Sequence, residues 1–464
     1  MNEFLYTYIL VALLVAAGLY FTVRTRGVQF RLFPEALRIL TEKKRGEKGV
    51  SSFQALMIST ASRVGTGNIA GVATAIAAGG AGAVFWMWLL AVIGSASAFV
   101  ESTLAQIYKE RDGEQFRGGP AYYIQKAMKK RWLGVVFALL LICCFAYGFN
   151  ALQAFNVSSA LEYYAAEGSA LAQWLPVITG GVLAALTALV IFGGVHRIGA
   201  ITSGLVPVMA LVYIGLGVFI TVKNAPAIPG VFEAIFREAF DFRAITGGFA
   251  GSVVMYGVKR GLFSNEAGMG SAPNAAATAD VSHPVKQGLV QMLSVFIDTI
   301  VICSTTAIML LVTGVQSGAQ LTGMPYVQQA VSSQVGEWGI HFITLSTFLF
   351  AFSSLIGNYC YTEGNLKFIK DSRALLMVFR LSAVAAVFIG AQLEFSVVWD
   401  LADVLMGLMA LVNLIAIFCL GGIALRALRD YTRQKREGRD PRFVPEQLGI
   451  SGAECWEKER NGEL

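Results

Sequence analysis

Charge is scarce in this chain: 14% of its 464 residues are Asp, Glu, Lys or Arg, too few to clothe a water-soluble surface of that length. Histidine is scarcer still, with only His196, His283 and His341, all near expected helix ends and far apart in sequence. An enzyme needs convergent acid, base or nucleophilic groups, and three scattered imidazoles do not supply them. The six cysteines (Cys143, Cys144, Cys303, Cys360, Cys419, Cys455) fall into no metal-ligand spacing, and five lie in apolar runs where a thiol behaves as a small hydrophobe. No disulfide framework, metal cluster or organic cofactor is expected. No nucleotide-binding domain is expected within the sequence to power work otherwise.

What is abundant is apolar surface, 55% of residues, with a mean hydropathy of +0.61. Length alone leaves room for two or three soluble domains, but long apolar runs between short polar intervals describe one polytopic membrane domain. The formal charge of +6 comes from basic clusters between those runs, which membrane topology explains without a nucleic-acid partner. The first run, "FLYTYILVALLVAAGLYFTV", is too long for a signal-peptide core, lacks a basic leading segment and shows no clear cleavage site. It is expected to stay as a helix.

Spans of about 20 apolar residues are expected near 4–23, 53–78, 83–107, 133–161, 173–193, 199–222, 244–280, 288–314, 339–369, 374–392 and 398–425, eleven helices in all. Residues 24–48 carry eight Lys or Arg and residues 109–131 carry seven, whereas 315–338 and 391–400 carry none. Residues 223–243 break the pattern, with three basic residues offset by Glu233, Glu238 and Asp241. The positive-inside rule then places the N-terminus outside and the C-terminus in the cytoplasm of a bacterial-type plasma membrane. The polar tail from Arg426 is expected to be a solvated, partly disordered cytoplasmic end.

Two of these spans are interrupted. The first reads "SRVGTGNIAGVATAIAAGG" (62–80); the second, about 190 residues later, reads "YGVKRGLFSNEAGMGSAPNAAATAD" (256–280). With the first helix set aside, each interrupted span opens a set of five, and an odd number forces the two sets into opposite orientation. The expected organisation is an N-terminal helix with its basic loop (1–48), a first five-helix repeat (49–222), a second, inverted repeat (223–428) and the tail (429–464). Paired broken spans in inverted halves point to the binding site of a secondary transporter.

A break leaves backbone groups unpaired in lipid, at several kcal/mol each, unless protein, water or solute satisfies them. Half-helix N-termini suit a carboxylate and half-helix C-termini suit an ammonium or Na⁺, so two crossed breaks match a zwitterionic amino acid. Gly65 and Gly67 let the first break unwind and a ligand approach; the N–H groups of Thr66, Gly67 and Asn68 face the carboxylate, and the Asn68 side-chain oxygen reaches a cation. In the second break, Gly261 is the expected unwinding point, Phe263 an apolar wall, and Ser264, Asn265 and Glu266 its polar groups. Asn265 either lines the site or caps the next half-helix.

Gln153 and Asn156 share a helix face and either enter the site or join helices. Ser353, Ser354 and Asn358, in "FAFSSLIGNYCYTEGN", add two hydroxyls and an amide. Hydroxyls with carbonyls from the first break make a hard-oxygen cage suited to Na⁺ rather than a soft metal. Glu266, Asp298 and Asp403 are intramembrane acids, costly and generally functional, that relay protons or anchor helices.

The segments "GGAGAVFWMWLLAVIG", "VGTGNIAGVATAI" and "SNEAGMGSAPNAAA" resemble those of the sodium:alanine symporter family, over about residues 50–425. The resemblance implies a leucine-transporter-type fold, a five-plus-five inverted repeat here preceded by one extra helix. It implies Na⁺-coupled import of small neutral amino acids, chiefly alanine and glycine, with the lipid bilayer as surroundings and no obligate protein partner. It sets the amino acid against Thr66 and Gly67 with Gln153, Phe263 and Asn265, and sodium among Ala61, Val64, Ser353 and Ser354. Arg63 and Asn358 stand where relatives vary and are counted with the substrate site, Arg63 either leaning toward the carboxylate or pairing with an acid. Proton coupling through Glu266 or Asp298 is the rival on the same fold, and a channel, which would use rings of filter residues, the rival outside it.

Overall fold

The computed structural model describes residues 5–43, 49–113, 115–166, 168–193, 195–241, 253–318 and 321–456. The start of the span expected from 244, residues 44–48 of the first basic interval and the last eight residues of the tail lie outside them.

Among the described residues, helices cover the expected apolar runs. In chain order they are α1 (Val11–Arg24), the short α2 (Phe33–Ile39), α3 (Ser52–Arg63), α4 (Ala70–Gly79), α5 (Gly82–Ile107) and α6 (Pro120–Met128). Then come α7 (Arg131–Tyr164), α8 (Ala170–Ile191), α9 (Val195–Lys223), α10 (Ile228–Ala239), α11 (Val253–Asn265), α12 (Pro273–Ala277) and α13 (Pro284–Val312). The last four are α14 (Gly323–Val335), α15 (Trp338–Ile369), α16 (Arg373–Gly390) and α17 (Phe395–Arg436). Among the described residues one strand pair departs from the helical pattern: Glu110–Asp112 (β1) and Gln115–Arg117 (β2) form an antiparallel hairpin.

Among the described residues eight helices are long and apolar enough to cross a membrane, with a shorter apolar helix at Tyr8–Arg24. Many of their outward side chains are apolar, Leu211 of α9 being 68% and Val378 of α16 63% exposed, as a lipid rather than aqueous solvent requires. The chain is therefore a multi-pass membrane protein.

Around the long α5 pack α1, α11 and α13, while α15 packs against α3 and α7. The two interrupted segments belong to different groups, α3 to that of α15 and α11 to that of α5, and α4 packs against α11. α3 begins with a reciprocal cap, the Ser51 hydroxyl accepting from the Gln54 N–H at 3.1 Å and the Gln54 side chain accepting from the Ser51 N–H at 3.0 Å. Just before it, Val50 forms a parallel bridge with Ala279: the Val50 N–H donates to the Thr278 carbonyl at 3.1 Å and the Asp280 N–H to the Val50 carbonyl at 3.0 Å. The start of the first interrupted segment is thus tied to the end of the second.

The tail does not stand free over its described length. Phe443, Ile450, Ala453 and Trp456 are buried, and the Trp456 indole donates to the Gln106 carbonyl at 2.9 Å. Aromatic side chains dispersed in a polar stretch supply the apolar area that docks it.

Candidate functional site at two helix breaks

The first break is where the sequence predicts it. α3 ends at Arg63, residues Thr66–Asn68 form a single 3₁₀ turn, and α4 resumes at Ala70. Gly65 lies in extended backbone, φ −129° and ψ −159°, and its N–H donates to the Asn68 side-chain oxygen at 3.0 Å. That oxygen therefore braces the break itself instead of reaching out toward a cation.

The carbonyl end of α3 meets α15. Ser354 donates to the Ala61 carbonyl at 3.1 Å and to the Val64 carbonyl at 3.5 Å, and Ser353 lies 3.5 Å from the Val64 carbonyl. Gly357 makes this approach possible: a Cβ there would stand 2.6 Å from the Ser62 backbone nitrogen. Ala61, Val64, Ser353 and Ser354, four oxygens predicted to act together, are together, two of them carbonyls at the negative end of a half-helix.

The turn meets α7 close by, the Cβ position of Gly65 facing both Ser354 Oγ and Gln153 Nε2. The Thr66 N–H donates to Gln153 Oε1 at 3.0 Å, and Asn156 donates to the Thr66 hydroxyl at 2.8 Å. Gly67 faces the ring of Phe263, where a side chain would collide. Phe263 is itself held edge-on between Phe149, 4.7 Å away, and Trp399, 5.4 Å away. Beside Trp399 opens a cavity of about 540 Å³ bordered by Thr74, Tyr256, Arg260 and Asp403.

The second break lies further along than expected. α11 runs unbroken through Gly261, which packs against α5 with its Cβ position 3.4 Å from the Met87 Cα. Unwinding begins at Glu266, whose φ is +54°, and continues through Gly268 (φ +82°) and Gly270 (φ +85°) to α12. A left-handed glutamate is strained, and its side chain is held in place: Glu266 accepts from Ser271 at 2.6 Å and stands 3.3 Å from the Ser62 hydroxyl. Asn265 does not cap the next half-helix, whose first turn follows Ala272 without a side-chain cap; its side-chain oxygen accepts from the Ala267 N–H at 3.0 Å, two residues on, and braces the break itself.

Buried polar groups staple the two breaks. Asp298 accepts from Asn68 at 2.7 Å, from Ser264 at 2.6 Å and from Thr299 at 3.1 Å. It sits in a π-helical turn, Phe296–Cys303, a distortion frequent at functional sites. Arg63 turns away from the Thr66 and Gly67 backbone: its guanidinium donates to Ser294 and lies 3.9 Å from Glu266. Of its two expected roles, pairing with an acid is the one adopted. Asn358 links neighbours instead, accepting from Ser62 at 2.6 Å and donating to Asn150 at 2.9 Å.

Sequence reasoning missed Glu101 and Asn413. Glu101 accepts from the Gly268 N–H at 3.3 Å and from Asn413 at 2.6 Å, and Asn413 also donates to the Gly268 carbonyl at 2.9 Å. The signal was present, an acid in the middle of the apolar α5. Lys259 and Arg260 were likewise passed over. Both pair with Asp403, at 2.9 Å and 2.8 Å, and Arg260 also lies over the Trp399 ring, 4.1 Å from its centroid. Asp403 is therefore an anchor between α11 and α17.

Residues 1–445 match the sodium:alanine symporter family. The chain belongs to that family. Among sodium:alanine symporter relatives, the amino-acid carrier protein AlsT of Bacillus subtilis is 49% identical over 460 residues, covering 99% of this chain and 97% of its own. The probable sodium/glutamine symporter GlnT of the same organism is 47% identical, covering 98% and 94%. The sodium/alanine symporter AgcS of Methanococcus maripaludis is 36% identical, covering 95% and 98%. A crystal structure of a manganese transporter of Eremococcus coleocola shares the fold of this family member, with a TM-score of 0.50 at 14% identity over 89% of this chain and 87% of that one.

Proposed function

We propose that this chain is a secondary active transporter that couples import of a small neutral amino acid, alanine or glycine, to Na⁺ by alternating access. One observation carries the reading: the carbonyl end of α3, the hydroxyls of Ser353 and Ser354, and the Thr66–Gly67 turn meet at one interrupted helix. Na⁺ occupies the oxygen cage of Ala61, Val64, Ser353 and Ser354. The amino-acid carboxylate takes the turn at Thr66 and Gly67, with Gln153, Ser264 and Asn265 nearby. Phe263 closes over Gly67, an apolar wall that limits the length of the substrate side chain and favours alanine or glycine.

In this reading the eight long helices, the first apolar helix and the two interrupted segments make eleven spans. They are arranged as a leucine-transporter-type pair of inverted repeats (49–222 and 223–428) after an extra helix, with the N-terminus outside and the tail cytoplasmic. The cavity of about 540 Å³ beside Trp399 then belongs to the outer path, and one of about 70 Å³ bordered by Ile58, Phe116 and Tyr361 to the inner. The difference in size supports an outward-facing conformation. One Na⁺ falling through about 100 mV releases about 2.3 kcal/mol and a tenfold gradient adds about 1.4 kcal/mol, together enough for an accumulation of about a few hundredfold.

A second reading, proton coupling, draws on the buried Asp298 and Glu266 that stitch the breaks together, and on a Bacillus subtilis relative, 43% identical, whose name carries both ions. Alanine uptake into proteoliposomes separates the two. An inward Na⁺ gradient should drive accumulation, and choline substituted at constant pH should abolish it; accumulation that survives choline overturns sodium coupling. Competition by glycine but not by glutamine is the expected selectivity.

A further inference from the structure

Where α1 and α17 leave their apolar runs, they border a cavity of about 550 Å³. Six guanidinium groups line it: Arg24 and Arg26 at the end of α1, Arg31 just beyond, and Arg429, Arg433 and Arg436 in the last turns of α17. Glu437 is the one acid among the described lining residues, and its carboxylate lies 3.5 Å from Arg439. Arg433 pairs with Asp430. Three others turn to neutral oxygens: Arg24 donates to the Tyr20 hydroxyl at 3.1 Å, Arg31 to the Thr25 carbonyl and Arg429 to the Leu425 carbonyl, both at 3.3 Å. The Arg31 pKa is lowered from its usual value, first by burial and then by repulsion from Arg436 and Arg26.

Keeping positive charge on one side of a membrane requires only that basic residues lie in that side's loops. It does not require six of them, from two stretches far apart in sequence, to surround one cavity where they repel. The rim is also informative. Val23 is 73% and Phe30 62% exposed, and Ile415, Cys419 and Gly422 lie exposed along the same helical face as Arg429. Below the charges runs an apolar, outward-facing track.

We propose that this cavity binds the phosphate headgroup of an anionic phospholipid, whose acyl chains lie along the exposed apolar side chains of α1 and α17. Guanidinium forks match phosphate oxygens in pairs, and basic pockets between transmembrane helices recognise acidic headgroups. Free inorganic phosphate shares the chemistry but makes no use of the track.

Native mass spectrometry of the full chain tests this, with phosphatidylglycerol, cardiolipin and phosphatidylethanolamine as probes. The wild type should retain the two anionic lipids. R26Q/R429Q/R436Q should retain them about 100-fold more weakly, the effect of three basic side chains at an anionic surface. K129Q/K130Q/R373Q, which removes three exposed basic residues elsewhere, should retain them as the wild type does. A photoreactive phosphatidylglycerol should label residues 19–31 and 415–436 of the unaltered protein, a readout that stands even if a variant fails to fold. Equal retention by both variants, labelling that avoids both segments, or saturable binding of inorganic phosphate without preference for anionic lipid would overturn the proposal. Neither readout involves transport, so its failure leaves the transport reading untouched.

Discussion

Gly65→Ala strikes the site at its tightest point. A Cβ on residue 65 falls 2.7 Å from Gln153 Nε2 and closer still to Ser354 Oγ. Neither side chain is free to yield: Gln153 holds the Thr66 N–H at 3.0 Å, Ser354 holds the Ala61 carbonyl at 3.1 Å, and both are buried. The extended backbone at Gly65 accepts alanine without strain, so the effect is steric. Overpacking of this kind costs about 1–3 kcal/mol. The displaced atoms are those assigned to Na⁺ and the amino acid, so the loss should appear in binding: half-saturating Na⁺ and alanine should each rise about 5- to 150-fold. The assay is initial-rate alanine uptake into proteoliposomes across a Na⁺ series, with thermal unfolding of the same preparations as the folding control. Gly181→Ala, whose Cβ in α8 meets nothing within 4 Å, should leave uptake unchanged and add up to about 1 kcal/mol of helix stability. Wild-type Na⁺ activation and alanine affinity in the Gly65→Ala protein would refute the location of the site at this break.

Ser354→Ala removes a hydroxyl from the oxygen cage and should raise half-saturating Na⁺ about tenfold, from about 1–2 kcal/mol lost, with alanine affinity at saturating Na⁺ little changed; an unaltered Na⁺ curve would count against the cage. Arg63→Gln and Glu266→Gln should each destabilise the protein by about 3–5 kcal/mol by stranding a buried charge, while the double variant loses less than their sum. Strict additivity in detergent unfolding would show that the two do not act as a pair. Burial pushes the Glu35 carboxyl up, but hydrogen bonds from Arg38, Tyr431 and Lys435 outweigh it and hold the pKa at about 2 against an ordinary 4.5. A lowered carboxyl pKa contributes stability that is complete above the ordinary value and lost as pH falls through the folded one. Hydrogen exchange of α2, corrected for intrinsic rate, should therefore be steady from about pH 7 to pH 5 and quicken below about pH 4. Glu35→Gln should show the fast exchange already at neutral pH, and a flat profile would mean that apolar contacts alone hold α2.

The first break was legible because glycines and polar groups in an apolar run are expensive there, and only a few arrangements repay them. The meeting of Ser353 and Ser354 with the carbonyl end of α3 was legible from residue types, since free half-helix carbonyls and adjacent hydroxyls satisfy one another in an apolar span. The second break was misplaced at Gly261 because the sequence does not separate a glycine that packs from one that turns. Gly257 and Gly261 lie against α5, with Gly257 approaching the Ala83 carbonyl, whereas Gly268 and Gly270 take left-handed backbone. The charge of Arg63 was visible and its direction was not, because Glu266 and Ser294 reach it only through tertiary packing. Glu101 was visible by the rule that singled out Asp298 and was passed over.

Val50 and Ala279 give the two interrupted segments a shared clasp. Two backbone hydrogen bonds join them there, so that any motion parting the segments at this end has to break both.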